Sequence, residues 1–418
     1  MGVQVPLRAP PASFLSAILA LPPCIWSAGL LSLPHGVPLR IAVVHHWFVT
    51  QGGGERVAEV IAQMFPSADI FTLICSPEFV PAGIKGRRLT ASILQRIPGA
   101  KKAHRHFMAA YPFAVEQLDL SAYDLVLTSD SGPMKGVITK PGAVQICYCH
   151  SPMRYLWDSY HTYAAEMRSA VRWPFSISAH YVRNWDYLAA QRVTSFVANS
   201  RHVAARIRHY YGRDSTVIYP PIDTKRGFLT TSPKEYYLAV GRLVSYKRTD
   251  LLIEACNRLG RRLRVVGVGP ELKRMRDIAG PTIEFAGALG VNDLWNTYAN
   301  CRALLFAAEE DFGMVPLEAQ ACGRPVIAYG KGGALETVRG YACDSTPIQS
   351  PTGMFFKDQT VDSLTATMSR FEAIESAFSP AEIQNHARSF DTQEFIDRMY
   401  AFIAKTCPNF PMLPLSSL

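Results

Sequence analysis

The sequence predicts an α/β protein of two doubly wound, parallel-sheet domains, and three observations carry that expectation. An apolar strand at 39–45 runs through a glycine turn, Gly52-Gly53-Gly54, into a helix at 55–65, the unit that opens such a domain. The same order restarts at 237–240, where Gly241 follows a strand and a helix spans 250–259. Between the two, 223–233 is polar and carries glycine and proline, as linkers do. The expected division is an extension at 1–38, domains at 39–222 and 223–389, and a helix and tail at 390–418.

The totals agree. The 418 residues suffice for two full cores. Hydrophobic residues make up 48% and charged residues 18%, which fits large buried sheets and excludes a disordered chain. The formal net charge of +9 points to nucleic acid, anionic lipid or acidic small ligands. No RNA- or DNA-binding signature accompanies it, so a nucleic-acid partner is not expected. Nine cysteines lack metal-ligand spacing, and Cys147 and Cys149 share one face of an apolar strand, so reduced thiols in the cytosol are expected. In 1–38 the only charged residue is Arg8, and the apolar run 14–33 is broken by Pro22-Pro23. That double proline argues against a spanning helix. A disordered or loosely membrane-associated extension is expected, with a monotopic anchor or a weak signal peptide as alternatives.

In the first half, strands at 68–75, 123–129 and 143–149 read as buried parallel strands. His150 and Ser151 fall at the carboxyl end of the last, and Asp130 and Lys135 at the corresponding end of its neighbour, where doubly wound sheets take ligands. A lone histidine is usually structural, but this position makes His150 a candidate. Between 85 and 105, Lys85, Arg87, Arg88, Arg96, Lys101, Lys102 and Arg105 interleave with Leu89, Ile93, Leu94 and Ile97. Such a stretch suits an anionic membrane surface or an ordinary solvated face. Long helices continue to about 192; a strand at 194–198 leads to Ser200 as N-cap and a helix stopped by Gly212, and a strand at 216–219 ends at Pro220-Pro221.

In the second half, Arg242 and Lys247 follow the strand end at Gly241. Two cations there suit a diphosphate leaving group, the alternative being a basic surface loop. Strands follow at 264–268 and 283–286, and Gly287-Ala288-Leu289 forms a loop that could edge against a base. The stretch 307–333, AAEEDFGMVPLEAQACGRPVIAYGKGG, lies between strands at 302–306 and 325–328. Pro316 suits a first helical position and Gly323 the position just past the end. Glu310 then precedes the helix and Glu318 lies on its first turn. The backbone N–H groups of Gly313, Met314 and Val315 point at an anion. Carboxylates beside a phosphate-binding helix start suit a nucleotide that carries a sugar, the alternative, favoured on spacing alone, being a βαβ connection with two solvated glutamates. A helix at 390–405, with Phe395, Met399, Phe402 and Ile403 on one side, is expected to cross back to the first domain.

Glu310-DFGMVPL-Glu318, together with GRLVSYKR, VVGVGPE, ACGRPVIA and GGALETV in order, resembles glycosyltransferase family 4, retaining enzymes of GT-B architecture with two Rossmann-like domains facing a central cleft. The resemblance covers roughly 39–405; GGGERV, CYCHSPMRYLWD and VANSRHVA are similar to a bacterial mannosyltransferase-like subgroup building surface polysaccharide. It implies that Glu310 contacts the donor sugar, Glu318 the ribose, and Arg242 and Lys247 the diphosphate. Gly313, Met314 and Val315 would share that charge, Gly53 and Gly54 would approach the phosphate, and His150 would touch the transferred sugar. Lys135-Gly136 matches the family's pair near the acceptor. The implied donor is a nucleotide-diphosphate sugar, GDP-mannose first and UDP-sugars next. The implied acceptor is a saccharide or polyprenyl-diphosphate-linked saccharide, with neither metal nor cofactor required. A cytoplasmic place, on the inner face of the plasma membrane, fits donors made in the cytosol. An epimerase or phosphorylase of the same architecture, or a non-catalytic nucleotide- or lipid-binding protein, are the alternatives.

Overall fold

The computed structural model describes residues 39–50, 52–341, 349–407 and 410; the extension at 1–38 lies outside them. The first lobe contains β1 (Ile41–Phe48), β2 (Asp69–Cys75), β3 (Leu89–Ala91), β4 (Leu125–Asp130), β5 (Val144–Cys149), β6 (Ser195–Ala198) and β7 (Ser215–Val217). They form one sheet in the order β3-β2-β1-β4-β5-β6-β7, with every pairing parallel. The second lobe repeats the plan with β8 (Tyr236–Val240), β9 (Arg262–Val266), β10 (Ile283–Gly287), β11 (Ala303–Phe306), β12 (Val326–Tyr329), β13 (Gly340–Tyr341) and β14 (Gly353–Phe356). Its order is β10-β9-β8-β11-β12-β14-β13, also parallel throughout. Both sheets reverse winding direction beside their first strand, between β1 and β4 and between β8 and β11. Those are the crevices where such sheets take ligands. The fold is the two-lobed GT-B arrangement.

The central strands are apolar on both faces because helices cover both. The short strands β3, β13 and β14 escape the sequence reading, since two to four residues carry too little periodicity. Cys147 and Cys149 are buried, and the seven cysteines among the described residues are free thiols. Among the described residues, no helix is long and apolar enough to cross a membrane.

Two passages of chain join the lobes, and they are stapled to each other. The Ile222 amide donates to the Phe390 carbonyl at 3.1 Å, and the Thr392 amide to the Ile222 carbonyl at 3.0 Å. This pairing holds Asp391 in a parallel bridge with Ile222, so the last helix starts at Thr392, not at 390, with Asp391 capping it. Phe395, Met399 and Ile403 of that helix then enter the first lobe's core beside Val57 and Ile61. The Tyr400 hydroxyl donates to the Met64 carbonyl at 2.7 Å.

Lys135 is not an acceptor contact. Only 2% exposed, its ammonium lies 2.5 Å from Asp186 and 3.4 Å from Asp130. Burial opposes the charge, but Asp186, Tyr211 and Asp130 outweigh it and hold the group protonated well above its usual range. Asp186 also accepts from Trp157 Nε1 at 2.9 Å and the Tyr211 hydroxyl at 2.8 Å. Gly136 is small because a Cβ would lie 2.3 Å from the Trp185 ring. The pair is a structural clamp behind the sheet.

The basic stretch is partly structural too. Arg87 donates to the carbonyls of Ala62, Phe65 and Ala68, and Leu94 is buried. Removing one partner of a buried ion pair typically costs about 3–5 kcal/mol. Lys135→Met should therefore lower unfolding free energy in urea by about that amount, and a loss below about 1 kcal/mol would show that the clamp is dispensable.

Candidate active site

The helix after β11 spans Met314–Ala321, starting two residues earlier than Pro316 suggests. Gly313, at φ +92°, takes the left-handed N-cap position, which side chains resist. Pro316 is thus third in the helix, and Glu318 lies on its second turn. By helix geometry the amides of Gly313, Met314 and Val315 have no intrahelical acceptor. Gly323, at φ +70°, follows the helix end as expected.

Glycines also set the loop ahead of the helix. The Gly333 amide donates to the Glu310 carbonyl at 2.8 Å. A Cβ at Gly333 would lie 2.2 Å from Phe312 Cα, and one at Gly332 would lie 2.5 Å from the Glu310 carbonyl oxygen. The Gly332-Gly333 passage therefore presses on 310–312 where no side chain fits.

Glu310 meets Lys247 in an ion pair, both half-buried. Burial, together with the Arg154 guanidinium nearby, pulls the Lys247 ammonium down to about 8. A pocket opens here, lined by Gly241, Arg242, Lys247, Phe306 and Ala308 among others. It sits at the β8/β11 crevice. Gly241 and Gly267 pack backbone to backbone, a Cβ at Gly267 falling 2.0 Å from the Gly241 carbonyl oxygen. The Gly267 amide donates to the Gly287 carbonyl at 2.7 Å. Three strand-end glycines thus form one wall. Leu289 packs into the apolar cluster beneath with Val240 and Phe306, and Arg242 is exposed on the rim.

The first lobe's first helix spans Gly53–Met64, so Gly53 and Gly54 form its first turn and not a loop before 55, and it presents that end to the Met314 helix start. A Cβ at Gly53 would lie 2.6 Å from Met314 Sδ. A Cβ at Gly54 would touch His46 and His45 at 3.5 and 3.6 Å and His150 Nε2 at 3.8 Å. Glu318, on the far side, accepts from the Tyr298 hydroxyl at 2.7 Å. Burial raises its pKa against that hydrogen bond and the pull of Arg56.

Hydrogen bonding places the protons of His45 and His150. His45 Nδ1 lies 3.0 Å from the Ser129 carbonyl oxygen and 3.1 Å from its hydroxyl. A carbonyl only accepts, so Nδ1 carries hydrogen. The Ser129 hydroxyl accepts there and gives its own proton to His150 Nε2 at 2.8 Å, which leaves the His150 proton on Nδ1. His45 Nε2 remains a buried acceptor without a hydrogen-bond partner. Burial and neighbouring His46 push His150 down to about 3, so it acts as a neutral donor.

A sequence model described as glycosyl transferases group 1 matches residues 222–389, and one described as Glycosyltransferase Family 4 matches 51–226. The chain belongs to glycosyltransferase family 4. Among curated relatives of this chain is the GDP-mannose-dependent monoacylated alpha-(1-6)-phosphatidylinositol monomannoside mannosyltransferase of Corynebacterium glutamicum. It is 35% identical over 156 residues, which cover 34% of this chain and 38% of the relative. Another is the alpha-1,3/1,6-mannosyltransferase ALG2 of Saccharomyces cerevisiae, 24% identical over 284 residues, 54% of each chain. The matches thus span about half or less of those relatives' lengths. Among solved structures, Anabaena Alr3699/HepE in complex with UDP and glucose superimposes with a TM-score of 0.65 at 16% identity, covering 88% of this chain and 99% of the other. Sucrose-phosphate synthase of Thermosynechococcus elongatus gives 0.62 at 17%, covering 88% and 99%. At such identity the likeness is one of fold.

The site has partners that the sequence did not disclose. Asp311 Oδ1 accepts from Arg206 at 2.6 Å and Arg154 at 3.0 Å, both on the opposite lobe. Ser151 accepts from the same Arg206 at 2.8 Å. Glu336, within GGALETV, accepts from the amides of Arg201 and His202 at 2.8 and 3.0 Å. It thus caps a helix of the other lobe. His45 and His46 were visible as a doublet at a strand end, the one signal that pointed to them.

The imidazoles give a pH signature. Unfolded, His150 titrates near 6.5; folded, near 3. Between those values the unfolded chain binds the extra proton, so stability is full above 6.5 and falls as pH drops through this window. Urea unfolding across pH should show that slope, and His150→Gln should flatten it; an unchanged slope would mean that His150 titrates alike in both states.

Proposed function

We propose that the chain is a retaining hexosyltransferase. It takes a hexose, mannose favoured, from a nucleotide-diphosphate sugar and passes it to a saccharide or polyprenyl-diphosphate-linked saccharide in surface polysaccharide synthesis. The observation that carries this reading is the Lys247–Glu310 ion pair in the β8/β11 crevice, beside a helix start that faces Gly53 across the lobes. Mannose is supported by the GDP-mannose dependence and mannosyl transfer in the relatives' names; the UDP in the Anabaena complex keeps UDP-sugars next.

The mechanism follows from charge. As the glycosidic bond breaks, the sugar becomes oxocarbenium-like and negative charge grows on the leaving diphosphate. Lys247, Arg242 and the amides of Gly313, Met314 and Val315 supply fixed positive ends for that charge, in a pocket where reorganisation is small. Glu310 accepts from sugar hydroxyls, and Glu318 from the ribose. His150, held as a neutral Nδ1–H donor through Ser129, offers a hydrogen bond to the sugar. Attack comes from the face the diphosphate leaves, and the departing phosphate helps take the acceptor proton. With cations and amides in these places, transfer should need no divalent ion.

The purified chain, assayed with a panel of GDP- and UDP-sugars and lipid-linked acceptors, should form a glycosidic product equally with and without EDTA. Glu310→Ala and Lys247→Ala should each lower turnover by about 10²–10³. Donor consumption without product, strict magnesium or manganese dependence, or normal turnover in both variants would sink this scheme.

Turnover should also fall as pH rises through about 8, where Lys247 loses its charge. Lys247→Arg should carry the alkaline limb upward; an unmoved limb would remove Lys247 from the rate.

A further inference from the structure

The helix Arg201–Tyr211 belongs to the first lobe, yet the second lobe grips it at two points. At its amino end Ser200 accepts from the Val203 amide at 3.0 Å, while the Arg201 and His202 amides have no acceptor within the helix. Glu336 takes both, and its Oε2 also accepts from the Tyr219 hydroxyl at 3.2 Å. The Tyr219 ring in turn stacks on Phe312, in the loop that carries Glu310. The second point is Arg206, 8% exposed. Its Nη2 donates to Asp158 at 2.5 Å and its Nη1 to Ser151 at 2.8 Å, both on the first lobe. The same Nη1 reaches Asp311 of the second lobe at 2.6 Å.

What lifts this above ordinary packing between lobes is which residues stand beside the grips. Asp311 follows Glu310, and Ser151 follows His150. The head of the helix holds His150 as well, since Asn199 Nδ2 donates to the His150 carbonyl at 3.0 Å. One helix therefore connects the two side chains that the transfer reading sets against the hexose. We propose that Arg206 and Glu336 are positioning residues for transfer, which gauge the spacing of Glu310 and His150 across the cleft. Neither needs to touch substrate. A guanidinium suits this task because its fork is planar and rigid, so a carboxylate from each lobe meets it at a fixed angle. Glu336 adds a charge at the positive end of the helix dipole, a contact made only while the lobes stand at this separation. The proposal takes its consequence from the transfer reading, but its geometry stands without it.

Arg206→Gln and Glu336→Ala should each lower turnover by about 10²-fold, the cost of roughly 1 Å of misplacement. Affinity for GDP and UDP, measured by titration, should stay at the parent's value, because the nucleotide is held by the second lobe. Arg206→Lys, which keeps the charge and loses the fork, should fall between parent and Arg206→Gln. Glu336 is half-buried, and its variant decides the matter if Arg206→Gln does not fold. Parental turnover in either variant overturns the proposal. So does a loss of nucleotide affinity in step with turnover, which would put the damage in the donor site. Small-angle scattering of the chain alone judges the gauge without any activity. The double variant Asp311→Ala/Glu336→Ala, with the parent's circular dichroism, should show a larger radius of gyration, and an unchanged radius overturns the proposal. A parent that forms no glycosidic product would sink the transfer reading instead, and scattering would still uphold or overturn the gauge.

Discussion

Backbone pressed against backbone, with no space for a β-carbon, fixes where Glu310 stands. Gly332 and Gly333 cross the loop at 310–312 so closely that any side chain would overlap Phe312 or the Glu310 carbonyl. One amide hydrogen bond, from Gly333 to Glu310, completes the lock. The carboxylate reaches Lys247 because the loop cannot retreat, and the Met314–Ala321 helix starts where it does because Gly313 alone tolerates the turn. Rigid placement of this kind lets charge complementarity act without first ordering the groups that supply it.

The electrostatics of the cleft depend on that placement. Lys247, Arg154 and Arg206 gather near Glu310 and Asp311, so cations from both lobes share two adjacent carboxylates. Arg154 lowers the Lys247 pKa, and Asp311 in turn steadies Arg154. On the first lobe the opposite device operates, with three buried imidazoles kept neutral and oriented through Ser129. The first lobe therefore adds directed but uncharged hydrogen bonds to a charge that both lobes supply.

How far the sequence could foresee this depended on separation along the chain. The paired strand–turn–helix openings, Glu310 and Glu318, and the cations after Gly241 are local, so the sequence could mark them as candidates once the motifs were taken together. The contacts of Asp311 with Arg154 and Arg206 join residues 157 and 105 positions apart on different lobes, and no periodicity reports such a meeting. Lys135 was misread for a related reason. A lysine just past a strand end reads as a ligand contact until its partner Asp186, on a distant helix, is seen to face it. The helix start was misplaced because Pro316 is acceptable in any of the first positions, whereas the positive φ of Gly313 decides among them. The last helix was drawn two residues long because the pairing with Ile222 is a tertiary event.

That last helix has a consequence for synthesis. Phe395, Met399 and Ile403 complete the core of a lobe whose other strands leave the ribosome hundreds of residues earlier. Until they arrive, the groove beside Val57 and Ile61 stands open to water, while the whole second lobe is still being translated. The first lobe is therefore the first to be started and the last to be finished. A nascent chain must shelter that apolar groove, by its own transient packing or by a chaperone, for most of the time it takes to be made.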